Sequence, residues 1–171
     1  MIRIFRTSCL LLLFLAPFAA SAENSVLSLQ KSAHFSGDLS VPAAVRNDCQ
    51  LETKVIDYIE SFAGDEFGKV ALVETASSAT VGKALAITIT GLSGEAGGAW
   101  SGPKHLSIAG TLWQDGTVIG TFTANRVTGG GAWGMYRGTC SLLGRCARAL
   151  GKDVAGWLKT PTLDAKLGDV N

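Results

Sequence analysis

The 171-residue chain has no excess of charge of either sign and little histidine. It contains 15 lysines and arginines, 14 aspartates and glutamates, and 2 histidines. The first 22 residues include two arginines and no acid, so the rest of the chain carries 13 basic against 14 acidic residues. This balance leaves no basic footprint for a nucleic acid and no polybasic patch for an anionic membrane. We therefore expect neither as a partner.

The sequence also lacks the signatures of common nucleophilic enzymes. It contains neither Gly-x-Ser-x-Gly nor a Ser-x-x-Lys motif in a catalytic context. Any imidazole base must be His34 or His105, and His105 opens a predicted strand, where surface histidines are common. The main expectation is a non-enzymatic protein. The alternatives are an exported hydrolase of an envelope polymer or small substrate, using His105 and nearby acids, and a small-ligand carrier.

Long hydrophobic runs are missing except at the start of the chain. Residues 1–22 read MIRIFRTSCLLLLFLAPFAASA, with a basic beginning, a short apolar run and small residues at the end. This is the pattern of a secretory signal peptide, and the apolar run is shorter than the roughly 20 residues of a membrane helix. We expect cleavage after Ala22, a periplasmic or secreted protein, and no membrane span after cleavage.

Cysteine is scarce beyond the signal peptide, where only Cys49, Cys140 and Cys146 remain. An oxidising compartment favours one disulfide and one spare thiol. If residues 140–146 are helical, the Cα atoms of Cys140 and Cys146 lie about 9 Å apart, which is too far for a disulfide. Cys49 is therefore expected to pair with Cys140 or, alternatively, with Cys146. With no Cys-x-x-Cys motif and no nearby histidine, we expect no redox pair, metal site or cofactor.

Helical periodicity predicts two amphipathic helices. The first covers about 47–63, with Asn47 as its N-cap and Gln50 in a capping-box position. The second covers about 139–159 and ends before Pro161. With strand-like segments between the helices, the order of elements predicts an α+β two-layer domain, a mainly antiparallel sheet with two helices on one face.

One domain is expected over residues 23–161, because the sequence shows neither a repeat nor an internal boundary. The last ten residues, 162–171, follow Pro161 and the predicted end of the second helix. We expect them to form a partly disordered tail.

A β-hairpin is the clearest local signal. Two β-rich runs flank Asp115-Gly116, a dipeptide that favours a type I′ turn. This turn pairs Trp113 with Val118 and places Ala109 opposite Phe122. Because both faces are apolar near the turn, the hairpin is expected to be covered on both sides or to lie centrally in its sheet.

Two glycine-rich segments, 91–102 and 126–138, carry large apolar side chains. The run 129–134 matches G-x-G-x-x-G, but it lacks the βαβ setting of a dinucleotide site and is interpreted as a loop. Apolar side chains on such loops can contact a partner. Core anchoring of the tryptophans is the alternative. Three basic residues flank these segments, Lys104, Arg126 and Arg137, and they are candidates for a surface rim that accepts an anion. The candidate binding patch consists of Trp100, Trp133, Met135, Tyr136, Arg126 and Arg137.

The hairpin follows the pattern G-x-L-x-x-D-G-x-x-x-G-x-F, from Gly110 to Phe122, and the second helix contains LGKDVAGWL, from Leu150 to Leu158. Through these residues the last 70 positions resemble a family of uncharacterised exported bacterial proteins. The order of elements is also similar to periplasmic lipoprotein domains that serve in envelope assembly or partner docking. The chain differs from these in lacking a lipobox, since no apolar run precedes Cys9. The resemblance implies an envelope protein as partner and supplies no catalytic residues.

Overall fold

The computed structural model describes residues 26–93, 102–129 and 137–169. In these ranges the chain forms seven strands and three helices. The strands are β1 (Leu27–Gln30), β2 (His34–Phe35), β3 (Val70–Val73), β4 (Lys83–Ser93), β5 (Lys104–Gln114), β6 (Thr117–Thr128) and β7 (Ala165–Gly168). The helices are α1 (Ala43–Cys49), α2 (Leu51–Phe67) and α3 (Thr139–Leu158).

The strands form one mixed sheet in the order β3-β1-β4-β5-β6-β7, and β2 also pairs with β4. The long central strands β4, β5 and β6 are antiparallel, whereas the short outer pairs are parallel. Apolar side chains from one face of the sheet share a core with α2 and α3. The predicted α+β class is therefore confirmed, with a mixed sheet and a third, short helix.

The hairpin turn forms where the sequence predicts it. Asp115 and Gly116 both have positive φ, at 49° and 83°, as a type I′ turn requires. The Oδ1 atom of Asp115 also accepts a hydrogen bond from the backbone N–H of Gly82, at 2.8 Å. The hairpin lies centrally, because β5 and β6 each have a neighbour on both sides.

The predicted register of the hairpin is wrong beyond its first pair. Trp113 faces Val118 as expected, but a β-bulge then shifts the pairing, so that Phe122 lies opposite Gly110 instead of Ala109. The extra residue is Ile119, which has no partner in the ladder. Because a shift of one residue reverses the faces, Phe122 points into the core and is 2% exposed.

The first predicted helix is two helices instead of one. Gln50 has left-handed backbone angles, φ 51° and ψ 44°, and separates α1 from α2. Asn47 therefore lies inside α1 and caps nothing, while α2 continues to Phe67, beyond the predicted end. The helix α1 has only two turns, with Val45 and Cys49 as its buried residues, too few to produce a periodic signal.

The end of the chain also differs from expectation. Residues 165–168, placed in a disordered tail by the sequence, form β7, which pairs in parallel with β6. The backbone N–H of Asp169 continues this pairing and donates to the carbonyl of Asn125, at 2.7 Å. The domain therefore extends to residue 169 in the part of the chain that the structure describes.

A disulfide joins Cys49 to Cys140, with a Cα–Cα distance of 4.8 Å. It connects the last residue of α1 to the first turn of α3, across 91 residues of sequence. A loop of this length corresponds nominally to about 4 kcal/mol of stabilisation through the unfolded state. Cys146 is a free, buried thiol. The expectation of one bridge and one spare cysteine is confirmed, with Cys140 as the partner.

No helix in the described ranges is long and apolar enough to cross a membrane.

Helices α2 and α3 pack closely at Gly151. A Cβ atom built on this glycine would lie 2.7 Å from Tyr58 Cβ and 2.9 Å from the Tyr58 backbone carbon, inside van der Waals contact. Gly144, on the same helix, has nothing within 4 Å of the corresponding position. The two glycines therefore test packing and helix propensity separately.

We predict that Gly151→Ala lowers the free energy of unfolding by about 1–3 kcal/mol, because the helices must move apart. The matched variant Gly144→Ala should raise it by about 0.5–1 kcal/mol, because alanine is the better helix former. Urea denaturation of both variants measures these changes. Equal effects of the two substitutions would contradict the close contact.

Candidate functional site

The two glycine-rich segments are anchored at the same end of the sheet. Ser93 of β4 pairs with His105 of β5, which pairs with Val127 of β6. The first segment leaves β4 and returns to β5, and the second leaves β6 and leads to α3. Three of the four ends of these segments therefore lie on neighbouring strands, and the fourth lies at the start of α3.

The candidate binding patch is only partly described. Trp100, Trp133, Met135 and Tyr136 lie outside the described residues, as does most of the G-x-G-x-x-G run. Arg137 precedes α3 and is half-buried. The patch itself stays a prediction.

Lys104 does not belong to a surface rim. It is only 1% exposed and lies at the start of β5, on the face that carries Leu106 and Ile108 into the core. Its carbonyl oxygen also accepts a long hydrogen bond from the thiol of Cys146, at 3.8 Å. Lys104 is therefore part of the interior under α3.

Arg126 is held by two carboxylates. Its Nε and Nη2 atoms each donate to an oxygen of Asp153, at 2.7 Å, and its Nη1 donates to Asp169, at 2.8 Å. The hydrogen bonds that Arg126 donates to Asp153 are the main reason why the pKa of Arg126 is raised. A two-pronged pair of this kind fixes orientation. Arg126 therefore joins β6 to α3 and to the end of the chain, and these bonds occupy its guanidinium.

Asp169 is the other anchor of the chain end. Its Oδ2 accepts a hydrogen bond from the backbone N–H of Val127, at 2.9 Å. This bond is the main cause of the lowered pKa of Asp169, and the charge of Arg126 adds to it. Asp153 and Asp169 together explain why the second glycine-rich segment starts from a firmly fixed strand.

The histidines are not gathered with acids in the described part of the chain. His105 lies on the sheet face opposite the helices, near Ser107, and forms no ion pair there. His34 is exposed in the two-residue strand β2. Among the described residues, no three His, Cys, Asp or Glu side chains come together as a metal site.

A basic groove runs along the outer side of the helix layer. We use this name for a hollow with a volume of about 430 Å³. It is lined by Phe62 of α2 and by Arg145, Arg148, Ala149 and Lys152 of α3. The three basic side chains follow one another at i, i+3 and i+7, so they project from one side of α3.

An acidic groove lies on the other flank of α2. We define it by Asp57, Glu60, Ser61 and Asp65, which line a hollow of about 400 Å³ with Gly64, Gly68 and Val70. Neither groove is among the features predicted from the sequence. The helical spacing of their charges is visible in the sequence, but which flank each row occupies depends on the packing of α2 against α3.

Burial controls the chemistry of Cys146. This thiol is 2% exposed, and its burial raises its pKa from the usual 9.0 to about 11, with a smaller contribution from the negative charge of Asp169. A thiol with a raised pKa and no access to solvent is a poor nucleophile. Cys146 therefore behaves as a small core residue.

We predict that thiol counting on the protein cleaved after Ala22 finds one free cysteine, Cys146, which reacts only after unfolding. As the pH rises from 9.0 to about 11, the unfolded chain loses the Cys146 proton before the folded chain does, so stability falls. The maximum loss is about 2–3 kcal/mol.

Urea denaturation at several alkaline pH values measures this loss, with Cys146→Ala as the control that lacks it. Identical pH dependence of the two proteins would contradict the buried thiol, as would rapid reaction of the native protein with a thiol reagent.

We predict that Asp169→Asn loosens β7. Since the pKa of Asp169 is lowered from 3.8 in the folded state, its contribution to stability is present above that pH and disappears as the pH falls through the folded value. Because Asp169 is 44% exposed, the loss at neutral pH should be at most about 1 kcal/mol. Hydrogen exchange of the Val127 amide should accelerate as well.

The control is Asp38→Asn, in an exposed turn. It should change neither the free energy of unfolding nor the exchange rate of the Val127 amide. Unchanged exchange at Val127 in Asp169→Asn would show that this carboxylate does not hold the chain end.

Comparison with known proteins yields likenesses of fold at low identity. No protein-family model and no curated protein matches the sequence. Among solved structures, a PelC dodecamer from Paraburkholderia phytofirmans is 13% identical, with a TM-score of 0.48 over 75% of this chain and 88% of that chain. A protein of the DUF330 family from Xanthomonas campestris is 16% identical, with a TM-score of 0.46 over 78% of this chain and 83% of that one. At these identities the likeness concerns the path of the chain and not its chemistry.

Proposed function

We propose that this chain is an exported, non-enzymatic protein that acts by binding another protein of the cell envelope. The signal-peptide pattern of residues 1–22 supports export. The Cys49–Cys140 disulfide is compatible with it, because such bonds persist in oxidising compartments. In this proposal the chain works after cleavage at Ala22.

The observation that carries the binding role is the common origin of the two glycine-rich segments. Three of their four ends lie on adjacent strands, with Ser93, His105 and Val127 in register. Two segments that start from one end of a sheet can present their side chains to the same partner. Their side chains include two tryptophans, a methionine and a tyrosine, types enriched at protein interfaces.

The hydrogen bonds that hold the strand β6 in place, where the second segment begins, also support this role. Arg126 ties the strand before the second segment to α3, the helix that follows it. Binding residues on loops are effective when a rigid scaffold positions them, because less order must be gained on binding. The network of Arg126, Asp153 and Asp169 is such a scaffold.

The proposal is tested by photo-crosslinking in cells. A photoreactive amino acid replaces Trp100 or Trp133 in the full-length chain, and Val81 serves as the control position. Val81 is 88% exposed, and it lies at the opposite end of the sheet, beside the Gly82–Asp115 hydrogen bond.

We predict a discrete adduct from positions 100 and 133 and none from position 81. Mass spectrometry of the same material should find an N-terminus at Glu23. Absence of adducts from both tryptophan positions, or equal adducts from all three positions, would overturn the binding role. An uncleaved protein retained inside the cell would overturn the export.

A further inference from the structure

The basic groove is a concentration of charge without internal compensation. Arg145, Arg148 and Lys152 are all exposed, and none of them forms an ion pair within the described ranges. Like charges one helical turn apart repel each other. Between the two helices, Phe62 and Ala149 are partly buried and supply an apolar floor. A partner with negative charge would relieve the repulsion and cover this floor.

The acidic groove has the opposite charge and the same lack of compensation. Asp57 and Asp65 are exposed and Glu60 is half-buried, and none of the three pairs with a basic side chain that the structure describes. The chain as a whole is nearly neutral. The two signs are therefore separated on the surface of the helix layer.

The two charged rows match in number and in length. Each contains three charges: the basic ones lie on one side of α3, and the acidic ones line one hollow beside α2. At 1.5 Å per residue, the acidic row from Asp57 to Asp65 is about 12 Å long, and the basic row from Arg145 to Lys152 is about 10.5 Å long. No residue belongs to both grooves. One molecule can therefore use both at the same time.

We propose that copies of this chain associate head to tail, with the acidic groove of one copy docked on the basic groove of the next. The charge complementarity of the two grooves identifies a second copy as the occupant. This contact is heterologous, so each copy keeps one groove free for a further neighbour and assembly continues beyond a dimer. No residue of the glycine-rich segments lines either groove, so the association does not rest on the proposed function.

The contact is expected to be weak and sensitive to salt. Its charges are exposed, and salt at about 0.1 M screens such charges beyond roughly 10 Å. Sedimentation velocity of the full folded domain at low ionic strength should therefore show a mass that rises with protein concentration. At high ionic strength the mass should fall towards that of the monomer.

The decisive experiment uses two variants that each lose one groove. In the first, Arg145→Gln, Arg148→Gln and Lys152→Gln neutralise the basic groove. In the second, Asp57→Asn, Glu60→Gln and Asp65→Asn neutralise the acidic groove. Asparagine and glutamine preserve the size of the acidic side chains, and glutamine keeps part of the aliphatic stem of the basic ones. Thermal unfolding checks that both variants fold.

Each variant alone should be monomeric under conditions in which the wild type assembles. An equimolar mixture should form a one-to-one dimer and stop there, because only one pair of intact grooves meets. Two matched controls, Asp38→Asn and Lys166→Gln, remove a charge elsewhere on the surface and should assemble like the wild type.

Three results would overturn the proposal. They are a wild type that stays monomeric at low ionic strength, assembly that persists in both neutralised variants, and a mixture that stays monomeric. A monomeric wild type whose α3 resonances shift on addition of inorganic phosphate would reject the second copy and identify a small anion as the occupant.

Discussion

The close approach of α2 and α3 determines how the rest of the molecule is arranged. At Gly151 the α3 backbone comes so near to Tyr58 that no side chain fits between the helices. This contact allows both helices to reach the same face of the sheet, where Ile56 and Leu150 are completely buried. The other face of the sheet has no helix in the described ranges and carries small and polar residues such as Thr88 and Ser107.

The surface chemistry follows from this arrangement. With α2 and α3 in contact along their inner sides, their polar residues project outward and sideways. The basic residues of α3 lie beside Phe62, and the acidic residues of α2 lie on the flank towards β3, near Val70. A nearly neutral sequence thus becomes a surface with separate positive and negative regions. Composition alone argues against a charged partner, whereas the arrangement of charges favours one.

Elements defined by neighbours in the sequence could be predicted, and those defined by distant partners could not. The Asp115-Gly116 turn and α3 depend on local backbone preferences and on a long periodic pattern, and both form as expected. The register of β6 depends on a bulge at Ile119, and no local signal indicates it. β7 is only four residues long and pairs with a strand more than 40 residues earlier, so its sequence resembles a tail.

The same distinction applies to the candidate site. The glycine-rich segments and their tryptophans are visible in the sequence, but their common origin at one end of the sheet requires the pairing of β4, β5 and β6. Arg126 was predicted as part of a binding rim. Its two carboxylate partners, Asp153 and Asp169, lie 27 and 43 residues away in the sequence. The hydrogen bonds that engage its guanidinium could therefore not be predicted from the residues around Arg126.

The position of the disulfide has a consequence for biosynthesis. Cys49 cannot meet its native partner until the chain has been made as far as Cys140, 91 residues later. Cys146 follows within two helical turns, and before α3 packs it is an equally accessible competitor for Cys49. Packing of α3 on the sheet removes this competitor, because it buries Cys146 while Cys140 stays at the edge of the core. Oxidative folding of this chain is therefore late and depends on α3, which decides between the two possible bridges.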